Sequence, residues 1–576
     1  MGLADRNLRA NDYNFFMQDD WKLSRRLTVS LGLRYELDTP PYDTKGRIGG
    51  FDPSLYVPRM QVDEQGFPVG PPIGGIVMAG NALPKFSLPG VRRVSNSLLR
   101  SIDPNNFGPR AGVAWSPTNA GRLVVRGGYG IFYHRPSFIY LGLDYFAPPF
   151  YATFLSYGQS FSHPFPGALS EKQFPMLEPG IALTGSVMDR NNRTPYFQHF
   201  NTSVEYAFSR DTGAQIAYVG SRGVRLFRQV AANQARIAST NHPVTNAVTG
   251  EVITTNIPGN ALSSPPGNAP LRAPFQGTDT DFFALNQTSA QSTYHSLQLT
   301  LQHRASRGLK LQGAYTLAKS IDNTSGAGGG AFSDGTLDRS SALDTGGVVG
   351  NQFSARANRG LSDFDRTHRF ALSCVWDVAK PLWMGRSRVG QALLSNWQLS
   401  GIAIAMSGLP VDILDPAAGD LYGLAGARPN WAPAASRRTA ISNIPAGYNF
   451  NPFAFALPVV QPGQPVPSAY DPTAIAPAGG NDIGNLGRNV LRGPLQSNID
   501  LAIAKRFPLS ESRNIEVRAD FFNALNHPSR SNPISDITAA NLSDPAGLLV
   551  DPGDFGRTLS FDSSPRIIQL ALRLTF

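Results

Sequence analysis

The stretch RIIQLALRLTF, residues 566–576, alternates apolar and polar side chains up to the last residue of the sequence. Successive side chains of a β-strand point to opposite sides, so one face of such a strand would carry Ile568, Leu570, Leu572, Leu574 and Phe576. A soluble edge strand with this much apolar surface would invite aggregation, whereas lipid covers it in a barrel that spans a membrane. The stretch therefore predicts a transmembrane β-strand.

The same alternation recurs along the whole chain. Thirteen segments of about ten residues show it, near residues 13–21, 27–37, 107–116, 122–133, 196–208, 213–221, 292–304, 309–318, 367–377, 395–406, 496–505, 513–524 and 565–576. Two of them, 196–208 and 513–524, have charged residues on the polar side, namely Glu205, Glu516, Arg518 and Asp520. Such side chains would lack partners inside a β-sandwich, so the pattern favours an antiparallel barrel over stacked sheets.

The connections between these segments alternate between short and long. Short polar turns occur at residues 22–26, 209–213, 305–308 and 508–512, whereas the stretches 38–106, 319–360 and 407–495 are long and have loop composition. Transmembrane barrels have short turns on the periplasmic side and long extracellular loops. The glycine cluster at 326–330 is interpreted as a flexible loop, because no helix follows it to complete a phosphate site.

The alternation changes phase once, within residues 397–406. The apolar positions shift at Gly401 from Trp397 and Leu399 to Ile402, Ile404 and Met406. A β-bulge would place all of these side chains on one face, so the sequence predicts a bulge at Gly401.

Composition supports an all-β membrane protein. Charged residues make up 16% of the 576 residues, and 57 glycines with 46 prolines disfavour long helices. No run of 18 apolar residues is present, which excludes helical membrane spans. The single cysteine, Cys374, allows no internal disulfide and is interpreted as a small strand residue. The net charge of +10 comes from scattered residues, which argues against nucleic-acid binding.

Signatures of catalysis are missing from the sequence. It contains no HExxH, GxSxG or P-loop motif, so we expect no enzyme activity, no catalytic residues and no cofactor. Asp363 and Asp365 lack the pattern of a calcium loop, and we expect them at a solvated loop mouth rather than at a metal site. The histidines lack metal-site spacing and are predicted to be wall or girdle residues, among them His199, His295, His303, His368 and His527.

Aromatic residues recur toward the ends of the predicted strands, where the aromatic girdles of membrane barrels lie. They are Phe15, Phe16, Trp21, Tyr35, Trp115, Tyr129, Tyr133, Tyr206, Trp376, Trp397 and Phe576. Each one alone is ordinary core material, so only their joint recurrence favours a barrel.

Several segments resemble the barrel of TonB-dependent transporters, in particular the Oar-like subgroup that carries a carboxypeptidase-regulatory-like domain. They include NFFMQDDWKLSRRLTVSLGLRYE, THRFALSCVW, NWQLSGIAIAMSGLP, ARPNW, GNLGRNVLRGPLQSNIDLAIAKRF, IEVRADFFNALNHPSRSNP and the final RIIQLALRLTF. The resemblance implies a 22-stranded barrel around a plug. The thirteen segments would then be its C-terminal strands, with residues 1–12 a loop remnant and 13–576 the distal barrel.

The resemblance also implies what lies outside this sequence. No segment resembles a plug, a TonB box or the N-terminal domain, and residues 1–16 lack the apolar core of a signal peptide. We therefore expect a fragment, or a gene that begins further upstream.

The function implied by the resemblance is energy-coupled uptake of an unidentified ligand across the outer membrane. Expected partners are outer-membrane lipid, the barrel-assembly machinery and, through the missing part only, the TonB system. Leu570, Leu572, Leu574 and Phe576 would form the signal that the assembly machinery reads. A surface or secreted β-rich adhesion or scaffold protein and a passive outer-membrane porin are the alternatives.

Overall fold

A computed structural model provides the structure. It describes residues 6–576 except 60, 65, 68–73, 87, 89, 119–120, 136–148, 151–182, 239, 258–266, 306–307, 326–349, 353–355, 379–394, 416–426, 458–483, 511–512 and 545–546. The glycine cluster at 326–330, interpreted above as a flexible loop, lies outside the described residues. Among those that are described, no helix is both long and apolar enough to span a membrane.

Thirteen antiparallel strands follow one another in a single large sheet, in the order of the sequence. Numbered β1 to β13, they are Asp12–Ser24, Leu27–Asp38, Phe107–Trp115, Leu123–Tyr133, Tyr196–Ala207, Thr212–Ala231, Thr278–Arg304, Leu309–Asp322, His368–Asp377, Trp397–Met406, Gln496–Pro508, Asn514–Phe522 and Ile567–Thr575. Each overlaps one predicted segment, although β6 and β7 extend well beyond the predicted residues 213–221 and 292–304 toward the long connections. The prediction of thirteen alternating strands is therefore confirmed.

Every strand pairs with the next one along the chain, so short and long connections must emerge at opposite ends of the sheet. Tight turns such as 25–26 and 208–211 lie at one end, called the turn end. Long connections, including 39–106, 407–495 and 523–566, lie at the other, called the loop end. The predicted alternation of short and long connections is confirmed.

One face of the sheet is apolar from strand to strand, because the register aligns the apolar positions. Val204 lies opposite Ile216, which lies opposite Leu299, and the row continues through Tyr315 to Phe370. Many of these side chains are exposed: Ile216 has 54% of its surface accessible and Leu299 37%. A continuous exposed apolar face of this kind needs a non-aqueous surrounding.

The predicted girdle positions are confirmed at the turn end. Trp21 and Trp115 lie opposite Val29 and Leu27, and Trp376 lies opposite Leu309, all on the apolar face. The prediction is wrong for Phe16, which lies opposite Arg34 on the polar face. Successive residues of β1 point to opposite faces of the sheet, so the adjacent Phe15 and Phe16 cannot both lie on the apolar face.

The bulge predicted at Gly401 is wrong. Strand β10 keeps an unbroken register with both neighbours, and Gly401 lies opposite Cys374 and Leu501. Ile402 therefore points to the polar face, where it lies opposite Ser373 and Asp500 and is 51% exposed. Cys374 lies on the apolar face of β9, as expected for a small strand residue.

The long connections contain their own short elements. Leu183–Met188 pairs in parallel with β7, and Gly360–Leu361 pairs with β8. The remaining strands are Leu8–Arg9, Tyr42–Asp43, Gly49–Tyr56, Gly74–Met78, Arg92–Arg93, Val244–Thr245, Val252–Ile253, Pro410–Val411, Asn430–Trp431, Phe455–Ala456, Leu491–Arg492, Leu542–Ser543 and Leu549–Asp551. Helical turns occupy Ala269–Arg272, Arg437–Ala440, Pro84–Phe86, Pro452–Ala454 and Ile537–Ala539.

Two large apolar cores lie in these connections, which together form the loop layer. The connections 407–495 and 523–566 share a core that includes Phe450, Phe455, Leu486, Ile537 and Phe555. A second core joins residues of the connection 39–106 to the strand at 183–188 and to the loop ends of β6 and β7, through Phe51, Ile76, Val187, Val230, Phe283 and Leu285. Burial of these side chains stabilises the loop layer as a packed unit.

Candidate functional site

The predicted assembly-signal residues lie on the last strand of the sheet. Leu570, Leu572 and Leu574 lie opposite Ala519, Val517 and Ile515 on the apolar face. Their exposed fractions are 78%, 75% and 58%, and Phe576, beyond the end of β13, is 91% exposed. The structure thus brings the three leucines together on one face.

A charge introduced on this face should destabilise the sheet. Leu572→Arg places a cation in the apolar surface, where the expected cost at the middle of a bilayer is about 2–4 kcal/mol. Gln569→Arg is the matched control, because Gln569 lies opposite Asp520 on the polar face of the same strand. Guanidinium unfolding in lipid vesicles should separate the two variants. Equal stability of both would contradict the assignment of the faces.

The opposite, polar face of the sheet carries charged residues in ion pairs. Arg126 and Glu205 approach to 2.7 Å, and Arg506 and Glu516 to 2.6 Å. On β12, Arg518 binds Asp520 at 2.8 Å. These carboxylates therefore have partners on an exposed wall, an arrangement that suits a water-filled lumen.

A group of neighbouring rings occupies the polar face toward the loop end of β3, β4 and β5. The guanidinium of Arg110 lies 4.6 Å from the ring centre of Phe132, which lies 5.3 Å from that of His199. His199 stacks on Phe197 with 8° between the ring planes. Cation–π and stacking contacts of this kind can hold a planar group on the wall.

Like His199, three further histidines are wall residues, as predicted. His295, His303 and His368 bond through Nδ1 to hydroxyl groups of the neighbouring strands, at 2.7, 2.8 and 2.8 Å, with Tyr218, Thr212 and Tyr315 as the respective partners. The prediction of a wall or girdle residue is wrong for His527, which lies in the connection after β12. In the part of the chain that the structure describes, no three His, Cys, Asp or Glu side chains are grouped to hold a metal ion.

A buried arginine joins three segments of the loop layer. Arg488 donates to Asp322 at 2.6 Å and to Asp363 at 2.8 Å, and it also binds Ser325. Burial lowers the pKa of Arg488, but the carboxylates of Asp363 and Asp322 outweigh that effect and raise the pKa above its ordinary value. The pairing therefore ties the end of β8 and the connection after it to the connection 407–495.

Two further arginines extend this network. Arg428 donates to both carboxylate oxygens of Asp412 at 2.9 Å, and Arg492 binds the carboxylate of Asp365. Buried two-pronged pairs of this kind are rigid and geometrically specific. The ion pairs of Arg428, Arg488 and Arg492 are called the arginine network below.

The network corrects the prediction for Asp363 and Asp365. They were expected at a solvated loop mouth, but Asp365 is 2% exposed and also accepts a hydrogen bond from the backbone of Ser320 at 2.5 Å. Asp363 accepts from Arg488 and from the side chain of Asn489. Sequence reasoning missed the arginines because their partners are distant in the chain. The signal that could have pointed to them was their position in ARPNW and GNLGRNVLRGP, which belong to the segments that resemble the transporter barrel.

Glycine is required where the network brings two backbones together. A Cβ atom on Gly484 would overlap the carbonyl oxygen of Arg428, and one on Gly360 would crowd the carbonyl oxygen of Arg488. Side chains at either position would push the connections apart. The glycines of this layer therefore serve close packing.

A second ionic cluster centres on Asp52, near the core around Phe51. Asp52 accepts from Ser54, Arg100 and Arg190, the last two as ion pairs. Burial raises the pKa of Asp52, but the hydrogen bonds from these three residues outweigh it and hold the pKa below the ordinary value of 3.8.

The lowered pKa of Asp52 predicts that the connection 39–106 loses stability in acid. A depressed pKa means that the charged form contributes stability above about pH 3.8, and that the contribution is lost as the pH falls through the lower pKa of the folded state. The protection factors of the amides in residues 49–56, which correct for the slower intrinsic exchange in acid, should therefore fall below pH 3.8. Asp52→Asn should exchange faster at neutral pH and lose most of this acid dependence. An unchanged pH profile in the variant would contradict the assignment.

Comparison with known families shows to which class of protein the large sheet belongs. Residues 2–569 match the family model described as an outer membrane beta barrel domain. The chain belongs to this family. The protein is therefore an antiparallel outer-membrane β-barrel protein located in the outer membrane, so the apolar face contacts lipid and the polar face lines the lumen. A search of curated protein sequences finds no match.

Solved structures of outer-membrane transporters are similar to this chain. The outer membrane transporter YddB from Escherichia coli has a TM-score of 0.39 and 10% identity over 99% of this chain and 55% of its own. The siderophore receptor PirA from Acinetobacter baumannii has a TM-score of 0.39 and 8% identity over 98% of this chain and 46% of its own. The chain spans about half the length of these structures.

Proposed function

We propose that this chain forms the distal barrel of a TonB-dependent transporter of the Oar-like subgroup, which imports a ligand across the outer membrane with energy delivered through TonB. The observation that carries the proposal is the charged, ring-bearing lumen wall beneath an ion-paired loop layer. The resemblance of segments such as IEVRADFFNALNHPSRSNP and RIIQLALRLTF supports the choice of family. On this proposal, β1 to β13 are strands of a 22-stranded barrel that encloses a plug.

The residues of the wall and the loop layer would bind the ligand without covalent chemistry. The arginine network holds the connections in one arrangement, which lowers the entropic cost of ordering them when a ligand binds. Arg110, Phe132 and His199 would contact the ligand as it enters the lumen. Because binding and passage need no bond-making step, we propose that the protein is not an enzyme.

A passive porin is the second candidate, because a charged lumen wall also suits diffusion of small polar solutes. An adhesion or scaffold protein is a third. In either case TonB would have no effect on what the cell takes up.

Depletion of compounds from a growth medium distinguishes these functions. The medium would be compared by mass spectrometry for cells with the full-length gene, cells without it, and cells that lack TonB. A compound whose uptake needs both the gene and TonB supports the proposal. Uptake that needs the gene alone identifies a porin, and no gene-dependent uptake favours an adhesion or scaffold role.

We also propose that Leu570, Leu572, Leu574 and Phe576 are read by the barrel-assembly machinery. Their exposed position at the edge of the sheet supports the proposal, since a recognised strand must be accessible before the wall is complete.

A further inference from the structure

A group of basic and imidazole side chains lies on the lipid-facing side of β6, β7, β8 and β9. It consists of Arg222, His295, Lys319 and His368, all of them exposed, and is called the basic patch. His295 lies directly opposite Lys319, and Arg222 lies two residues beyond Gly220, the other partner of His295. Paired and diagonal positions on neighbouring strands are about 5–8 Å apart, so these side chains form one surface.

The basic patch adjoins the apolar row of Leu297 and Leu317: His368 lies in that row, and His295, Lys319 and Arg222 lie directly beyond it on the loop side. Leu297 is two residues from His295, and Leu317, opposite His368, is two residues from Lys319. Two residues of a strand span about 7 Å, so the cations follow the apolar surface immediately. The long connections are extracellular, which places the basic patch at the head groups of the outer leaflet.

Hydrogen bonds hold the imidazoles against the wall. Tyr218 bonds to His295 at 2.7 Å, with 20° between the two rings, and Tyr315 bonds to His368 at 2.8 Å. Tyrosine and histidine rings of this kind have an apolar body and a polar edge, which suits the boundary between acyl chains and head groups. The patch therefore holds two imidazole rings in fixed positions beside its two cations.

Beside the patch, the paired parts of these strands carry no carboxylate on the same face. The lipid-facing positions within residues 196–206, 212–222, 291–303, 309–321 and 368–376 hold no Asp or Glu, and within the described residues no carboxylate forms an ion pair with Arg222 or Lys319. Two cations beside an apolar surface are stabilised by an anion that also brings acyl chains. Phosphate esters of a lipid head group meet both requirements.

We propose that the outward face of β6 to β9 is a binding site for a phosphorylated lipid of the outer leaflet. Arg222 and Lys319 bind its phosphate groups, His295 lies on the strand between them, and its acyl chains lie along Leu297 and Leu317. The proposal concerns the lipid-facing side only, so it holds whichever ligand passes through the lumen.

The test is a titration of the full-length protein in detergent micelles with diphosphorylated lipid A, followed by native mass spectrometry. At about fivefold per surface charge, Arg222→Gln with Lys319→Gln should weaken binding about thirtyfold, and each single variant about fivefold. The matched control is Arg304→Gln with Lys310→Gln, which removes the same two charges from a facing pair on the polar side at the turn end.

Several outcomes would overturn the proposal. They are equal binding of lipid A without its phosphates, an equal loss of affinity in the control, and an unchanged affinity in the double variant. Competition by millimolar inorganic phosphate would assign the site to free phosphate instead of lipid. All four positions are exposed, so the variants should keep their fold, which unfolding in guanidinium verifies.

Discussion

Arg488→Met is expected to release the connection 407–495 from the wall. The substitution leaves the carboxylate of Asp322 buried without its partner, and breaking a buried pair in this way costs about 3–5 kcal/mol. The amides of residues 356–367 and 484–495 should then exchange with solvent at least about a hundredfold faster, because about 1.4 kcal/mol corresponds to a factor of ten. Hydrogen exchange measured by mass spectrometry reports this change segment by segment.

Two comparisons show whether the lost charge pairing is the cause. Arg438→Met removes an exposed arginine from the helical turn Arg437–Ala440 and should change exchange very little. Asp322→Asn with Asp363→Asn, added to Arg488→Met, removes the uncompensated carboxylates and should restore part of the protection. Exchange that is as fast in Arg438→Met as in Arg488→Met would refute the role of the network.

The strands were predictable because their signal is local. Each strand sorts apolar and polar residues within about ten positions, and turns such as 25–26 lie between two such segments. The error at Gly401 has a physical reason. Ile402 is tolerated on the lumen face beside Ser373, so an apolar side chain there does not force the strand to bulge.

The loop layer was not predictable, because its contacts join distant parts of the chain. Arg488 and Asp322 are separated by 166 residues, and Arg428 and Asn358 by 70. No periodicity marks such a pair, and loop composition alone describes the segments as solvated. The aspartates of LSDFDRTHRF were therefore expected in water, although the arginines that bind them were visible in the sequence.

Deletion of Phe576 is expected to prevent assembly of the barrel in cells. Phe576 lies beyond the last pairing of β13 and is 91% exposed, so it contributes little to the finished wall. If the assembly machinery reads this residue, the deletion should abolish the heat-modifiable form of the full-length protein in the outer membrane while synthesis continues. Phe576→Tyr keeps an aromatic ring at the same place and should assemble normally.

Refolding without the machinery separates recognition from stability. In lipid vesicles the purified deletion variant should fold with nearly the stability of the parent, because no pairing with β12 is lost. Leu572→Arg should instead be less stable than the parent in vesicles, since its charge lies in the apolar surface opposite Val517. Normal surface exposure of the deletion variant in cells would show that Phe576 carries no assembly signal. A large loss of stability in vesicles would show instead that the residue acts through packing.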